Sequence, residues 1–229
     1  PNGLVTKTYV DDDILKIHDT RAQMMNEVLD KNFGNKQKDF TGIDLSCHQG
    51  FFSFKLAEKL KSVRGLDFQA EHINDANLIK EAMGVRNVEF QHNNLFDDKV
   101  QNMQPVDVVL MFGLLYNLEN PIGGLRIAKK LTKKLLLVET QTTAIELSGR
   151  VDSGSYQWGN EMMGIFGIFP GLPEAKIGSE TNIILYPSPK GLVWILERLG
   201  FSKVEIVKPP ENAYEQLASG KRVVVAAYV

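Results

Sequence analysis

Two carboxylates and a tight turn stand at a spacing that can hold a nucleoside. The run Phe40-Thr41-Gly42-Ile43-Asp44-Leu45 carries β-type residues into the acid Asp44. Ser46-Cys47-His48-Gln49-Gly50 follows as a turn closing on glycine, and Phe51-Phe52-Ser53 opens a helical pattern. A second short apolar run, Val63 to Leu66, ends in Asp67. Strand, turn, helix, strand and acid, in that order, build a pocket for an adenosine-containing cofactor at the carboxyl edge of a parallel sheet. An acid at the end of the second strand accepts two charge-assisted bonds from ribose hydroxyls, each worth about 1.5–3 kcal/mol. A solvated turn aspartate is the competing reading of Asp67, and the turn upstream favours the ribose role.

The elements needed to position these residues can be read along the chain. Residues 11–33 predict a helix, with Asp11, Asp12 and Asp13 at its positive end and Ile14, Leu15, Ile17, Met24, Met25, Val28 and Leu29 on its apolar face. Strands are expected near 40–46, 63–67, 88–91, 106–112 and 135–139, with helices near 50–61, 70–83 and 121–131 between them. The run Val106 to Phe112 is almost wholly apolar, as a central parallel strand buried on both faces should be. Residues 142–187 break this rhythm, with many glycines among Tyr156, Trp158, Phe166 and Phe169. A stretch this long inside a compact domain is usually a functional cover. A helix from Pro189 to about Gly200 and strands at 203–207 and 222–229 complete the pattern. The fold class is α/β: a Rossmann-like, doubly wound, seven-stranded sheet, mostly parallel with an antiparallel last strand. Residues 1–229 are expected to form one domain, with helix 11–33 and the insertion 142–187 closing the pocket.

Bulk properties narrow the function. The 229 residues are 43% hydrophobic and 24% charged, ordinary for a soluble globule. The one cysteine, Cys47, rules out an internal disulfide framework and fits a reducing compartment. No apolar run reaches the roughly 18 residues of a membrane span, and the first residues lead to no signal-peptide core, so a cytoplasmic location with no membrane partner is expected. The net charge of −2 gives no general drive toward nucleic acid. Lys129, Lys130, Lys133 and Lys134 cluster at a helix end, where the helix dipole already favours cations. His18, His48, His72 and His92 show no metal-ligand spacing, and no metal is expected.

The turn resembles motif I of the class I S-adenosyl-L-methionine (SAM) methyltransferases, whose first strand ends D-x-G-x-G-x-G. In that register Asp44 matches the acid, and Ser46, His48 and Gly50 take the three glycine positions. Only Gly50 is kept. Ser46 is small and His is enriched at positive φ, so the backbone can still pass close to a ligand. A second stretch, Phe112-Gly113-Leu114-Leu115-Tyr116-Asn117-Leu118 leading to Asn120-Pro121, is similar to the segment after the fourth strand in one methyltransferase subgroup. That subgroup includes the tRNA-uridine carboxymethyl transferases and many small-molecule enzymes, and Asn117 replaces its histidine. Glu139-Thr140-Gln141, Tyr186-Pro187-Ser188-Pro189, Trp194 and Glu197 to Phe201 continue the likeness, which covers most of residues 40–229.

The resemblance implies SAM as cofactor, held by Asp44, Ser46, His48, Gly50 and Asp67. Asn94 falls where the family carries an acid meeting the adenine amino group, although Asn93-Asn94 also favours an Asx turn by itself. Leu95 would stack or offer its N–H, and Phe112 and Gly113 would lie under the methionine half. Tyr116 would face the transferring methyl; a core tyrosine with a bonded hydroxyl is the alternative. Gln141, Tyr156 and Trp158 join Tyr116 as acceptor-wall candidates, and Tyr116, His48 and Glu139 are the candidates for a catalytic group. Three readings stand: a methyltransferase acting on an O or N of a small-molecule acceptor, a tRNA-uridine modifying transferase, and a SAM-binding interaction module without catalysis. The acidic balance argues against the second, and Asp67 with the aromatic insertion argues against the third.

Overall fold

The computed structural model describes residues 12–143, 145–150, 161–171 and 181–229. Helix α1 (Asp12–Phe33) precedes β1 (Thr41–Leu45), α2 (Phe51–Ala57), β2 (Ser62–Asp67), α3 (Ala70–Met83) and β3 (Val88–His92). Next come α4 (Asp98–Gln101), β4 (Val106–Phe112), a 3₁₀ turn at Leu115–Asn117, α5 (Pro121–Leu131) and β5 (Thr132–Gln141). Two short hairpins follow, β6 (Gly149–Arg150) with β7 (Glu161–Met162) and β8 (Phe166–Pro170) with β9 (Ile183–Pro187). Helix α6 (Pro189–Arg198), β10 (Lys203–Ile206), α7 (Glu215–Ala218) and β11 (Arg222–Tyr228) end the chain.

Seven strands form one sheet in the order β10-β11-β5-β4-β1-β2-β3. Strands β1 to β5 run parallel, and β11 runs antiparallel to both β5 and β10. The order reverses between β1 and β4, and an α/β sheet opens a crevice at its carboxyl edge at such a point. Apolar side chains leave β4 on alternate faces. Val108, Leu110 and Phe112 join the core under α1 and α2, while Val109 and Met111 join the one under α5 and α6.

The sequence pattern places most elements correctly and misjudges some boundaries for identifiable reasons. Helix α2 stops at Ala57 rather than near residue 61, because the Asn87 side chain donates to the carbonyls of Ala57 at 2.9 Å and Leu60 at 3.2 Å. Those bonds satisfy acceptors that a longer helix would have used. Strand β5 outruns its apolar centre because β11 pairs along it from Gln141 to Leu135. The short α4 and α7 carry too few residues for a periodic signal.

The insertion is anchored at its inner end. The Thr143 N–H donates to the Pro187 carbonyl at 3.1 Å, and the Ser188 N–H to the Ile165 carbonyl at 2.8 Å. Gly164 lies against the first turn of α6, where an added Cβ would fall 2.4 Å from the Gly191 Cα. Backbone on backbone leaves nothing flexible to yield. Gly164→Ala should therefore lower stability by about 1–3 kcal/mol in urea denaturation, the range for overpacking a tight contact; an unchanged midpoint would show the contact to be loose.

Candidate functional site

The turn between β1 and α2 repeats the left-handed conformation at alternate residues. Ser46 has φ 64°, His48 φ 50° and Gly50 φ 91°. Only Gly50 is free of a Cβ, and one added there would meet the Phe90 ring at 2.6 Å. Two backbone bonds fix the turn: the Cys47 N–H donates to the Leu66 carbonyl at 2.9 Å, and the Gly50 N–H to the Cys47 carbonyl at 2.8 Å. Beneath it Asp44 is buried and accepts from the Ser53 hydroxyl at 2.7 Å. Burial pushes the Asp44 carboxyl up to about 7, the nearby charge of Asp67 adds to this, and the Ser53 bond opposes it.

Asp67 closes the other side. Its Oδ2 accepts the His48 N–H at 2.9 Å; its Oδ1 accepts the Gln69 N–H at 2.9 Å and meets His72 Nδ1 at 3.2 Å. The His72 ring packs 3.7 Å from that of His48, centroid to centroid. A carboxylate offers about four acceptor positions, so one on Oδ2 remains, and a second is freed if His72 turns away. Across the crevice Gly113 has φ 70°, and a Cβ there would meet only the Tyr116 hydroxyl, at 3.9 Å. An open glycine floor between a left-handed turn and a strand-end acid fits a nucleoside carrying a methionine arm.

The two asparagines after β3 part company. Asn94 is exposed and forms an Asx turn: its amide oxygen accepts the Phe96 N–H at 3.0 Å, and its own N–H donates to Asp97 at 3.0 Å. Asn93 is buried, and its amide oxygen has no partner among the described residues. Sequence register singled out Asn94, yet Asn93 is the residue that turns an unused acceptor inward. Leu95 is half-buried and packs with the core below α5.

At the tips of β4 and β5 the structure brings together charged and aromatic groups that spacing did not connect. Glu139 is fully buried; its Oε1 receives Arg222 Nη1 at 2.8 Å and lies 3.5 Å from Arg21 Nε. Arg222 also donates to Gln216 Oε1 at 2.8 Å and to the Tyr116 hydroxyl at 3.4 Å, with its guanidinium over the Tyr116 ring. Burial alone would lower the Arg222 pKa, but Glu139 and Tyr116 outweigh it and hold it above the ordinary range. Arg21 shifts the other way: burial lowers its pKa, and Glu139 only partly compensates. Tyr116 faces Tyr186 edge-on with centroids 6.0 Å apart, and Phe169 packs 4.5 Å from Tyr186. His18, on the same face of α1 as Arg21, lies against Phe51 and Phe52, and Phe52 against Phe112.

Sequence reading placed Tyr116, Glu139, His48 and Phe112 in this region but missed Arg21, Arg222, Tyr186 and Phe169 as site residues. The one available signal was two arginines opposite the strand-end acid, legible only once β11 is known to lie beside β5. Gln141 pairs in register with Arg222 at the rim, and Tyr156 and Trp158 lie outside the described residues. Asn117, where the subgroup has histidine, donates its side-chain N–H to the Gly113 carbonyl at 3.0 Å and fixes the loop under Tyr116. Among the described residues, no group of three or more His, Cys, Asp or Glu side chains is placed to hold a metal ion, and no helix is long and apolar enough to cross a membrane.

Comparison with known proteins agrees with this geometry. A family model described as a methyltransferase domain matches residues 36–168. The O-antigen chain terminator bifunctional methyltransferase/kinase WbdD of Escherichia coli is 27% identical over 150 residues, covering 65% of this chain and 21% of that protein. The tRNA U34 carboxymethyltransferase of Aliarcobacter butzleri is 26% identical over 182 residues, covering 74% of this chain and 50% of the relative. This chain thus spans half or less of the curated relatives it matches. Among solved structures, the N-terminal domain of EvdMO1 with SAH and D-fucose superposes with a TM-score of 0.67 at 19% identity, over 100% of this chain and 90% of that one. Magnesium protoporphyrin IX methyltransferase from Synechocystis PCC 6803 with bound SAM gives 0.60 at 15% identity, over 99% and 86%. At these identities the two structures speak to the fold alone.

The raised Asp44 carboxyl sets a pH dependence. Its folded pKa of about 7 lies well above that of a free aspartate, so the folded state keeps a proton that the unfolded chain releases. Stability should fall between about pH 4 and 7, with a slope up to about 1.4 kcal/mol per pH unit from this group. Asp44→Asn should remove that slope. Chemical denaturation at pH 5 and pH 8 checks it: the variant should gain on the parent at the higher pH, and parallel behaviour would mean that Asp44 is ionised throughout.

Proposed function

Because the chain belongs to the methyltransferase-domain family, we propose that it transfers a methyl group from SAM to an oxygen or nitrogen of a small-molecule acceptor. The carrying observation is the left-handed turn facing Asp67 across an open glycine floor, with a cluster of aromatic and arginine side chains beside it. When bound, SAM supplies a methyl on a sulfonium, an electrophile with its leaving group built in. The protein's share is position and exclusion of water. The turn and Asp67 hold the nucleoside end, and Gly113 leaves room for the chain that follows. Tyr116, Tyr186 and Phe169 wall the acceptor, and Arg222 holds the Tyr116 hydroxyl in place. Helix α1 and the described β8–β9 pair of the insertion serve as the cover over these side chains. Glu139 acts as a structural anion here rather than a base, since it is buried and shared between two arginines.

A small acceptor is favoured over RNA by the position of the basic cluster. Lys129, Lys130, Lys133 and Lys134 stand at the end of α5 and the start of β5, on the sheet edge opposite the crevice. Lys134 is engaged with Asp107 and the Phe40 ring, and Lys129 with Phe201. Tight tRNA binding near physiological salt, abolished by changes at the crevice, would overturn the small-acceptor assignment.

The cofactor assignment has its own test. S-adenosylhomocysteine should raise the melting temperature, and Asp67→Ala should weaken its binding at least about tenfold, since charge-assisted bonds are lost. Calorimetry giving equal affinity for parent and variant would remove Asp67 from the ribose site.

A further inference from the structure

A cleft of about 340 Å³ opens at the amino edge of the sheet, where β1, β2 and β4 begin and the chain enters β3. Ser62 at this edge and Asp67 at the other are the two ends of β2, roughly 16 Å apart at the usual strand rise. The cleft is lined by two guanidiniums, Arg64 and Arg86, against one carboxylate, Glu89. Arg64 is half-buried; its Nε is enclosed without an acceptor among the described residues, and its Nη1 meets only the Met103 sulfur, at 3.7 Å. Glu89 stands in register with Arg64 across the β2–β3 pair, yet the two form no ion pair. Arg86 is exposed, and its side chain has neither a hydrogen bond nor an ion pair among the described residues. Asp107, next to the cleft on β4, is already taken. It accepts the Thr41 N–H at 3.0 Å and hydroxyl at 3.3 Å, and lies 3.9 Å from Lys134 Nζ.

These groups select first a charge and then a shape. A water could accept the Arg64 Nε–H bond, but it would leave the positive surplus of the cleft in place, whereas an anion offsets it. A carboxylate offers two oxygens in one plane and suits a single guanidinium fork. Arg64 lies on β2 and Arg86 just before β3, and a tetrahedral phosphoryl group has oxygens enough for both. At about 340 Å³ the cleft has the size of a small-molecule site, more than a bare phosphate fills. The Ser62 hydroxyl and the Gln104 amide line the remainder, while the Asn87 amide N–H groups are spent on the carbonyls of Ala57 and Leu60. We propose that this cleft binds a small hydroxylated phosphate monoester, its phosphoryl group between Arg64 and Arg86 and its hydroxyls on Ser62 and Gln104. Glu89 opposes the anion and sets the sign of one test. The same phosphoryl chemistry has a second source, inorganic phosphate. The inference stands apart from the cofactor crevice and does not rest on the methyltransferase reading.

Calorimetry at low, fixed ionic strength tests the site and separates the sources. The unaltered protein is titrated with inorganic phosphate, glycerol 3-phosphate and ribose 5-phosphate. Ribose is the uncharged control and malonate the carboxylate control, and nitrogen–proton NMR spectra follow the Arg64 Nε–H signal. The phosphate esters should bind and move that signal, and ribose should do neither. Esters binding at least about tenfold tighter than inorganic phosphate assign the cleft to an ester. Equal affinities keep the phosphoryl receptor and make inorganic phosphate its ligand. Arg64→Gln should weaken the phosphates at least about tenfold, and Arg86→Gln about threefold or more, while Glu89→Gln should tighten them. Arg86 and Glu89 are both exposed, so their variants decide the matter even if Arg64→Gln fails to fold by far-UV circular dichroism. The proposal is overturned if no phosphate binds, if ribose or malonate binds as tightly as the phosphates, or if affinity ignores both Arg86→Gln and Glu89→Gln.

Discussion

The carboxylate of Glu139 joins three parts of the chain that are remote in sequence. It stands fully buried near the end of β5, paired with Arg222 at the start of β11 and approached by Arg21 from α1. Burying charges costs several kcal/mol per ion before any attraction is counted, and this set carries one more positive charge than negative. Hydrophobic packing elsewhere must offset that cost. The fully buried Met24, Met25 and Leu29 of α1, with Leu135 and Leu137 of β5, supply a well-packed surround. What the ion cluster adds is position: it fixes how α1 crosses the strand tips and, through Arg222, where the Tyr116 hydroxyl sits.

The turn after β1 is the second fixed point, and it works through the backbone. Left-handed φ at Ser46, His48 and Gly50 bends the chain beside Asp67, whose carboxylate takes the His48 N–H. Non-glycine residues in that region carry strain of roughly 1–2 kcal/mol each. Two such residues in one turn, bound to the acid opposite, mean that the turn and Asp67 hold each other. Changes at His48 will therefore be felt at Asp67 even where the imidazole touches nothing in a ligand.

Much of this was legible in the chain, and the reasons differ by element. The parallel core could be read because β4 is almost wholly apolar and β1 and β2 carry an acid at their last or next-to-last residue. The left-handed turn could be read because Ser and His occupy positions where a glycine pattern is otherwise kept. Both readings of Asn94 came from the chain, a place beside the adenine by register and an Asx turn by composition. The turn is present in the bond from the Phe96 N–H, while only folded geometry shows Asn93 buried with an amide oxygen unused among the described residues. Arg21 and Arg222 were invisible as a pair. On α1 an arginine among apolar positions reads as a surface residue, and nothing local says that β11 returns antiparallel beside β5. The aromatic wall was half legible, since the insertion's composition announced it, while the members with described contacts, Phe169 and Tyr186, stand on the β8–β9 hairpin.

The crevice between the turn, Asp67 and Gly113 is the SAM site we propose, with its methyl end toward Tyr116. A crystal structure with S-adenosylhomocysteine bound is the most direct measurement of it. The account predicts ribose hydroxyls in hydrogen-bond reach of Asp67 Oδ2, the sulfur over Gly113 and directed toward Tyr116, and His72 turned away from Asp67. Adenosine bound elsewhere on the sheet, or a sulfur directed away from the Tyr116, Tyr186 and Phe169 wall, would contradict it.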